Sequence, residues 1–390
     1  MEFMRKHLSL LIGLILSAQM LVARSPIVSV LTCSPGSELY SVFGHSALRV
    51  QDSLDGEFYD VVYNYGTFQF SDDFYVQFAQ GRLDYFLSVS SFGEFQQMYL
   101  FDGRGIKEQY LLMTNDDLIK LSDLLMENAR PENATFRYHF FKDNCSTRVW
   151  NIIKKASSKP LTIELDVPKS TFRSAIQNYL NYMPWGDFGI DLALGAPCDD
   201  LMQMEDRAFL PDSLLFLLSH SRYGSTPLTS RAMELIPVDI EPELPAMNWP
   251  VVCAWGMFFF ILFWGIWMGR EGRLRTVPET IFISLVSLVG CLLVFLWFFT
   301  DHDTTHNNWN LIWANPFWLY FLFRTPRSCA TWERRVALVF MVVLIVELVF
   351  FRWTPQTMHP AVWPFVFAEL YILLKIMKPF WFTKLLNEKQ

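Results

Sequence analysis

The chain has 390 residues, 52% of them hydrophobic and 16% aromatic but only 18% charged. That balance excludes a disordered protein and points to a membrane protein with room for two or three domains. The net charge of −7 gives no overall basic field, and no Lys/Arg run decorates a soluble helix, so nucleic acid is not an expected partner.

At the N-terminus Arg5 and Lys6 precede an apolar core running from Leu8 to about Leu16, followed by small residues ending near Ala23. This is the layout of a secretory signal peptide over 1–24, with an uncleaved signal anchor as the alternative. Either sends the next segment across the membrane. Residues 25–236 are expected to form an α+β domain there. "SALRVQDSLDGEFYDVVYNYGTF" predicts two strands around Asp55-Gly56, and "FDGRGIKEQYLLM" predicts another after a turn. Helices are expected at "TNDDLIKLSDLLMENAR", capped by Thr114 or Asn115 with Asp116 and Asp117 in the first turn, and at "DNCSTRVWNIIKKA", capped by Asn144.

The segment 237–248, with Pro237, Pro242 and Pro245, is stiff and marks a linker. Beyond it a membrane domain over 249–378 holds five apolar stretches, at 249–268, 280–299, 311–323, 336–351 and 361–377, and a tail follows at 379–390. Arg270, Arg273 and Arg275 follow the first stretch, Arg324, Arg327, Arg334 and Arg335 the third, and Lys378, Lys384 and Lys389 the fifth. The alternate loops carry only Arg352, so the basic loops face the cytoplasm and the α+β domain faces the other side. The third stretch contains Asn315 and Pro316 but is kept as a span, because a re-entrant turn would place four arginines outside. No span carries a convincing inward-facing charged pair, Glu347 and Glu369 being lone candidates, which argues against a transporter.

Of six cysteines, Cys33, Cys145 and Cys198 fall outside the cytoplasm, an odd number that leaves at least one thiol unpaired. A Cys33–Cys198 disulfide stays open. Cys145 would stand in the first turn of a helix, where free N–H groups lower a thiol pKa, although a buried structural thiol is the plainer reading. A thiol nucleophile needs a base, and the outer domain offers His45, His139 and His220. His45 starts a strand after Gly44, and His139 lies six residues before Cys145 as its rival.

"FGHSALRV" and "DNCSTRV", with "YNYGTF" between them, resemble the outer domain of the Bacteroidota lipoprotein N-acyltransferases, a likeness extending over the whole mature chain. The resemblance implies an α+β papain-like domain of permuted NlpC/P60-like type, followed by an all-α transmembrane bundle of about five helices. It implies Cys145 as nucleophile and His45 as general base, and a third residue that orients the imidazole. Asn64 is the candidate for that position, with Tyr63 and Tyr65 as rivals; Asn144 or the Cys145 N–H is the candidate oxyanion donor. The implied reaction takes an acyl chain from a phospholipid donor, carries it as a thioester, and delivers it to a diacylated lipoprotein at the inner membrane. No cofactor and no metal is expected for it.

The loop "DHDTTHNNWN" would lie at the outer face, where His302 and His306 are candidate substrate contacts; a polar interfacial loop is the plainer reading, and a metal pair the remote one. Arg148 is a candidate phosphate contact, against a structural role. Two other functions fit the same residues: a papain-like hydrolase of peptidoglycan peptides or lipid amides, and a noncatalytic membrane receptor or assembly factor.

Overall fold

The computed structural model describes residues 24–54, 57–68, 73–238, 244–269, 276–323 and 331–387. The expected leader up to residue 23, part of the linker, the loop with Arg270, Arg273 and Arg275, and Arg324 and Arg327 lie outside them.

The outer domain is organised by a seven-stranded antiparallel sheet in the order β10-β5-β1-β2-β3-β4-β6. Its strands are β1 (Ile27–Cys33), β2 (His45–Leu54), β3 (Glu57–Thr67), β4 (Asp84–Ser91), β5 (Ile106–Tyr110), β6 (Thr135–Arg137) and β10 (Met233–Ile236). The predicted hairpin is present: Leu54 pairs with Glu57 and Leu48 with Tyr63. A small three-stranded sheet joins β7 (Leu161–Ile163), β8 (Ser221–Tyr223) and β9 (Thr226–Pro227).

Eight helices accompany these strands among the described residues: α1 (Phe74–Gln80), α2 (Phe92–Phe101), α3 (Asn115–Asn128), α4 (Pro131–Ala134), α5 (Cys145–Ala156), α6 (Phe172–Leu180), α7 (Pro184–Ala193) and α8 (Pro211–Ser219). Alternation along the strands divides the sheet into two buried faces. Val28, Val30, Leu48, Val50, Tyr63 and Tyr65 pack with Leu121 and Leu125 of α3, Val149 and Ile153 of α5, and Leu214 and Leu217 of α8. On the other face Leu31, Cys33, Ala47 and Val62 meet Phe95 and Tyr99 of α2. Thr114 is the residue that caps α3.

A second apolar cluster holds Val42, Phe141, Ile176, Leu180, Cys198 and Phe209. Beside it the Arg173 guanidinium of α6 is fully buried, held by Asp191 of α7 at 2.8 Å, Asp199 at 2.9 Å and the Leu194 and Gly195 carbonyls at 3.0 Å. A cation this deep stays charged only because every donor finds an oxygen.

Beyond the linker come α9 (Trp249–Gly269), α10 (Val277–Phe298), α11 (Trp318–Phe323), α12 (Thr331–Phe350) and α13 (Val362–Asn387). Among the described residues three segments are long and apolar enough to cross a membrane: Trp249–Met268, Val277–Phe298 and Trp332–Trp353. Of the expected third span, the described residues hold a 3-10 turn at Trp309–Leu311 and α11, which reaches Phe323, the last residue described before 331. Asn315 turns the chain there, donating to the Ile312 carbonyl and accepting the Phe317 N–H, and Trp313 and Trp318 are buried in the bundle core. A correction concerns Glu347 of α12 and Glu369 of α13. Both are buried within electrostatic reach of one another, and neither carboxylate has a hydrogen-bond partner among the described residues.

The outer loop between α10 and α11 docks on the soluble domain. Asp301 pairs with Arg82 at 2.8 Å, Asp303 with His139 and Lys142, and the Gly195 N–H donates to the Thr304 carbonyl at 2.8 Å. Asn308 donates to the Leu192 and Ala193 carbonyls, and Gln356 reaches the Leu194 carbonyl, so the loop continues the Arg173 joint.

Candidate active site

Cys145 is the first residue of α5, and the chain ahead of it is fixed by its cap. The Asn144 side chain accepts the Ser146 and Thr147 N–H groups at 2.9 and 3.0 Å, and Thr147 Oγ1 accepts the Asn144 N–H at 2.8 Å. Val149, Ile152 and Ile153 then bury the far side of the helix, which leaves the half-buried thiol at its open positive end.

His45 starts β2. The preceding Gly44 has φ of 79°, and a Cβ there would meet the Cys33 carbonyl oxygen at 2.8 Å, so only glycine brings the chain into the strand along this path. The Cε1 corner of the imidazole lies against Gly66 of β3, where a Cβ would fall 2.3 Å from Cε1. Two residues earlier, Asn64 Oδ1 lies 2.7 Å from His45 Nε2 and 2.8 Å from the Gly66 N–H. A backbone N–H only donates, so that Asn64 atom is the oxygen, and the His45 nitrogen facing it carries the proton. Nδ1 is thereby left as the acceptor for the Cys145 thiol.

Burial opposes ionisation of Cys145. The attraction between the thiolate and the charge His45 gains on taking its proton, the hydrogen bond with His45 and the Ser46 N–H outweigh that effect and lower the thiol pKa to about 7. The other outer cysteines behave oppositely: Cys33 and Cys198 are free, sit in separate apolar clusters, and are pushed by burial up to about 12. The open question of a disulfide between them is thus answered against it.

Tyr63 and Tyr65 face the opposite side of β3 from Asn64, in the core beneath α5, and the Tyr65 hydroxyl accepts from Asn128 at 2.9 Å. The Asn144 amide is fully engaged, donating to the Phe140 and Phe209 carbonyls at 2.6 and 2.8 Å, which leaves the Cys145 N–H as the donor at the site because the first helical residue has no intrahelical acceptor. Arg148 forms two bonds to Asp143, at 2.6 and 2.8 Å, and lies 3.6 Å above the Phe136 ring. His302 packs against Gly81, and His306 presents its carbonyl to Gly195; the two flank the 3-10 turn Asp303–Thr305. Neither is brought to Cys145.

Sequence reasoning passed over Ser46, Gly66, Tyr85 and Tyr138. The two tyrosines stack at 4.2 Å and their phenols share the electrostatic surroundings of Cys145, Tyr85 being raised by burial to about 12. "GHS" and "YNYG" contained the first two as neighbours of chosen residues, whereas nothing local marks the tyrosine pair.

Residues 19–178 match the family model of the Lnb N-terminal periplasmic domain, and residues 243–384 that of the Lnb transmembrane domain. The chain belongs to the Lnb lipoprotein N-acyltransferase family. No curated protein and no solved structure matches it significantly. Membership agrees with the architecture above: a sheet-rich periplasmic domain that carries Cys145 and His45, followed by a helical membrane region.

Proposed function

We propose that this protein moves an acyl chain from a membrane phospholipid, through a thioester on Cys145, to the N-terminal amine of a diacylglyceryl-cysteine lipoprotein. The observation that carries this reading is the Asn64–His45–Cys145 arrangement, in which Asn64 fixes the imidazole with Nδ1 toward a thiol whose pKa is lowered to about 7. In the first half-reaction His45 takes the thiol proton, and the Cys145 sulfur attacks the ester carbonyl. The carbonyl oxygen gathers charge beside the Cys145 N–H. The C–O bond then breaks, and imidazolium Nδ1 protonates the departing alkoxide, releasing a lysophospholipid.

In the second half-reaction the lipoprotein α-amine attacks the thioester carbonyl. Its proton passes to His45 and then to the departing Cys145 thiolate, leaving an amide. A thioester divides the transfer into two easier steps and favours an amine over an alkoxide acceptor. Water must be excluded while it persists. The location supports a lipid substrate: Tyr85 and Tyr138 beside Cys145 are each three residues or fewer from the contacts that Arg82 and His139 make with the loop at the outer end of α10. In this reading the domain is papain-like, the helical half is a multi-pass inner-membrane bundle of about five spans, and both substrates keep their acyl chains in the bilayer.

Mass spectrometry of a diacylated lipoprotein incubated with phospholipid vesicles and the purified full chain tests the proposal. Wild type is expected to add one acyl chain at the α-amine, and Cys145→Ala to add none while retaining its fold. Release of free fatty acid without amide formation would identify a hydrolase, and undiminished N-acylation by Cys145→Ala would remove the thioester mechanism.

A further inference from the structure

The loop that leads into Cys145 is held from two directions. From within, His139 and Asp143 exchange both backbone hydrogen bonds at 2.9 Å, and His139 Nδ1 accepts the Phe141 and Lys142 N–H groups at 3.2 and 3.1 Å. Two donors converging on Nδ1 keep a proton off it, so the ring is the neutral tautomer with its hydrogen on Nε2. That hydrogen goes to Asp303 Oδ1 at 2.7 Å, while Asp303 Oδ2 accepts from Lys142 Nζ at 2.9 Å.

Asp303 belongs to the other half of the molecule. Its 3-10 turn is seated on the end of α10, where Thr305 Oγ1 donates to the Leu296 carbonyl at 2.9 Å, and is pinned laterally by the Gly195 N–H on the Thr304 carbonyl. A rigid turn of the membrane half thus grips the imidazole around which the pre-nucleophile loop folds. One residue after that loop the Asn144 cap sets the direction of the Cys145 N–H and of its sulfur.

We propose that Asp303 is a positioning residue for the Cys145 site, acting through His139, so that the nucleophile is fully formed only when the membrane half is docked. This deepens the acyltransferase reading, and its test does not depend on it. His139 is by the same geometry excluded as a general base, since its accepting nitrogen is already occupied.

The test uses the full chain in detergent and follows the pH profile of Cys145 alkylation by iodoacetamide, with acyl-transfer kinetics beside it. Asp303→Ala is expected to raise the alkylation midpoint by about one pH unit as Cys145 loosens from His45 and the Ser46 N–H, and to lower kcat roughly tenfold with KM little changed. Asp303→Asn keeps an acceptor for the Nε2 proton and is expected to restore both to within about threefold. His139→Asn retains an oxygen for the loop N–H groups but is too short to reach Asp303, and should reproduce the Asp303→Ala shift even where that variant does not fold. A wild-type midpoint in folded His139→Asn or folded Asp303→Ala overturns the proposal. Absence of acyl transfer with the midpoint shift intact would instead sink the functional reading and leave this one standing.

Discussion

A cysteine near neutrality in its acid–base behaviour gives the site a definite response to pH. The Cys145 thiolate forms as pH rises through about 7, so alkylation of the free protein should climb across that point and level off above it. His45 supplies the largest of the effects that lower the thiol. With His45→Ala the midpoint should move up toward the ordinary thiol value or beyond, since only the Ser46 N–H and the Ser146 hydroxyl then oppose burial. At pH 7 the thiolate fraction falls from about one half to roughly one hundredth, a drop of about fifty-fold in alkylation rate. Stopped-flow or mass-spectrometric alkylation between pH 5 and pH 10, a range of roughly five units around the thiol pKa, reads this directly. An unchanged midpoint would mean that His45 does not face the sulfur.

Hairpin β2–β3 shows how an element prepares a side chain. Gly66 leaves the space in which the imidazole lies, and a methyl there would sit 2.3 Å from Cε1. Gly66→Ala should therefore displace the ring from Asn64 and cut transfer by tenfold or more. Because the site lies at a strand end, the change should cost only about 1–3 kcal/mol of stability, measurable as a small shift in thermal midpoint. Much of this element was legible in the sequence: Asp55-Gly56 marked the turn, alternation marked the strands, and Asn64 stood within "YNYG". The capped start and apolar spacing of α5 were equally local. The Tyr85–Tyr138 stack and the Asp303–His139 bond were not legible, because they join residues 53 and 164 positions apart through folding alone. The turn inside the 311–323 stretch was hidden for the opposite reason. The stretch is apolar enough for a helix, but Asn315 satisfies its own neighbours' backbone and turns the chain, which hydropathy does not register.

At the scale of the whole molecule, the joint between the halves is polar and buried. Gln356 is 1% exposed and serves three partners: it accepts the Trp309 N–H at 2.7 Å and donates to the Leu194 carbonyl at 3.0 Å and to Asn308 Oδ1 at 3.3 Å. Gln356→Ala would leave the Trp309 N–H without its partner, at about 1–3 kcal/mol, while the Leu194 carbonyl keeps Arg173 and Asn308 Oδ1 keeps the Asn310 N–H. The thermal midpoint of the full chain in detergent should fall by roughly 4–10 °C. Retention of the wild-type midpoint would show that the joint contributes little to holding the halves together.

The docked outer loop also works as a gauge. Because Arg82, His139 and Gly195 are bonded directly to the turn capping α10, the sulfur is held at a set height over the membrane half. In the proposed reaction an ester carbonyl or a lipoprotein N-terminus would have to rise or sink to meet it, which would make depth in the bilayer, as well as chemical identity, a criterion by which substrates are chosen.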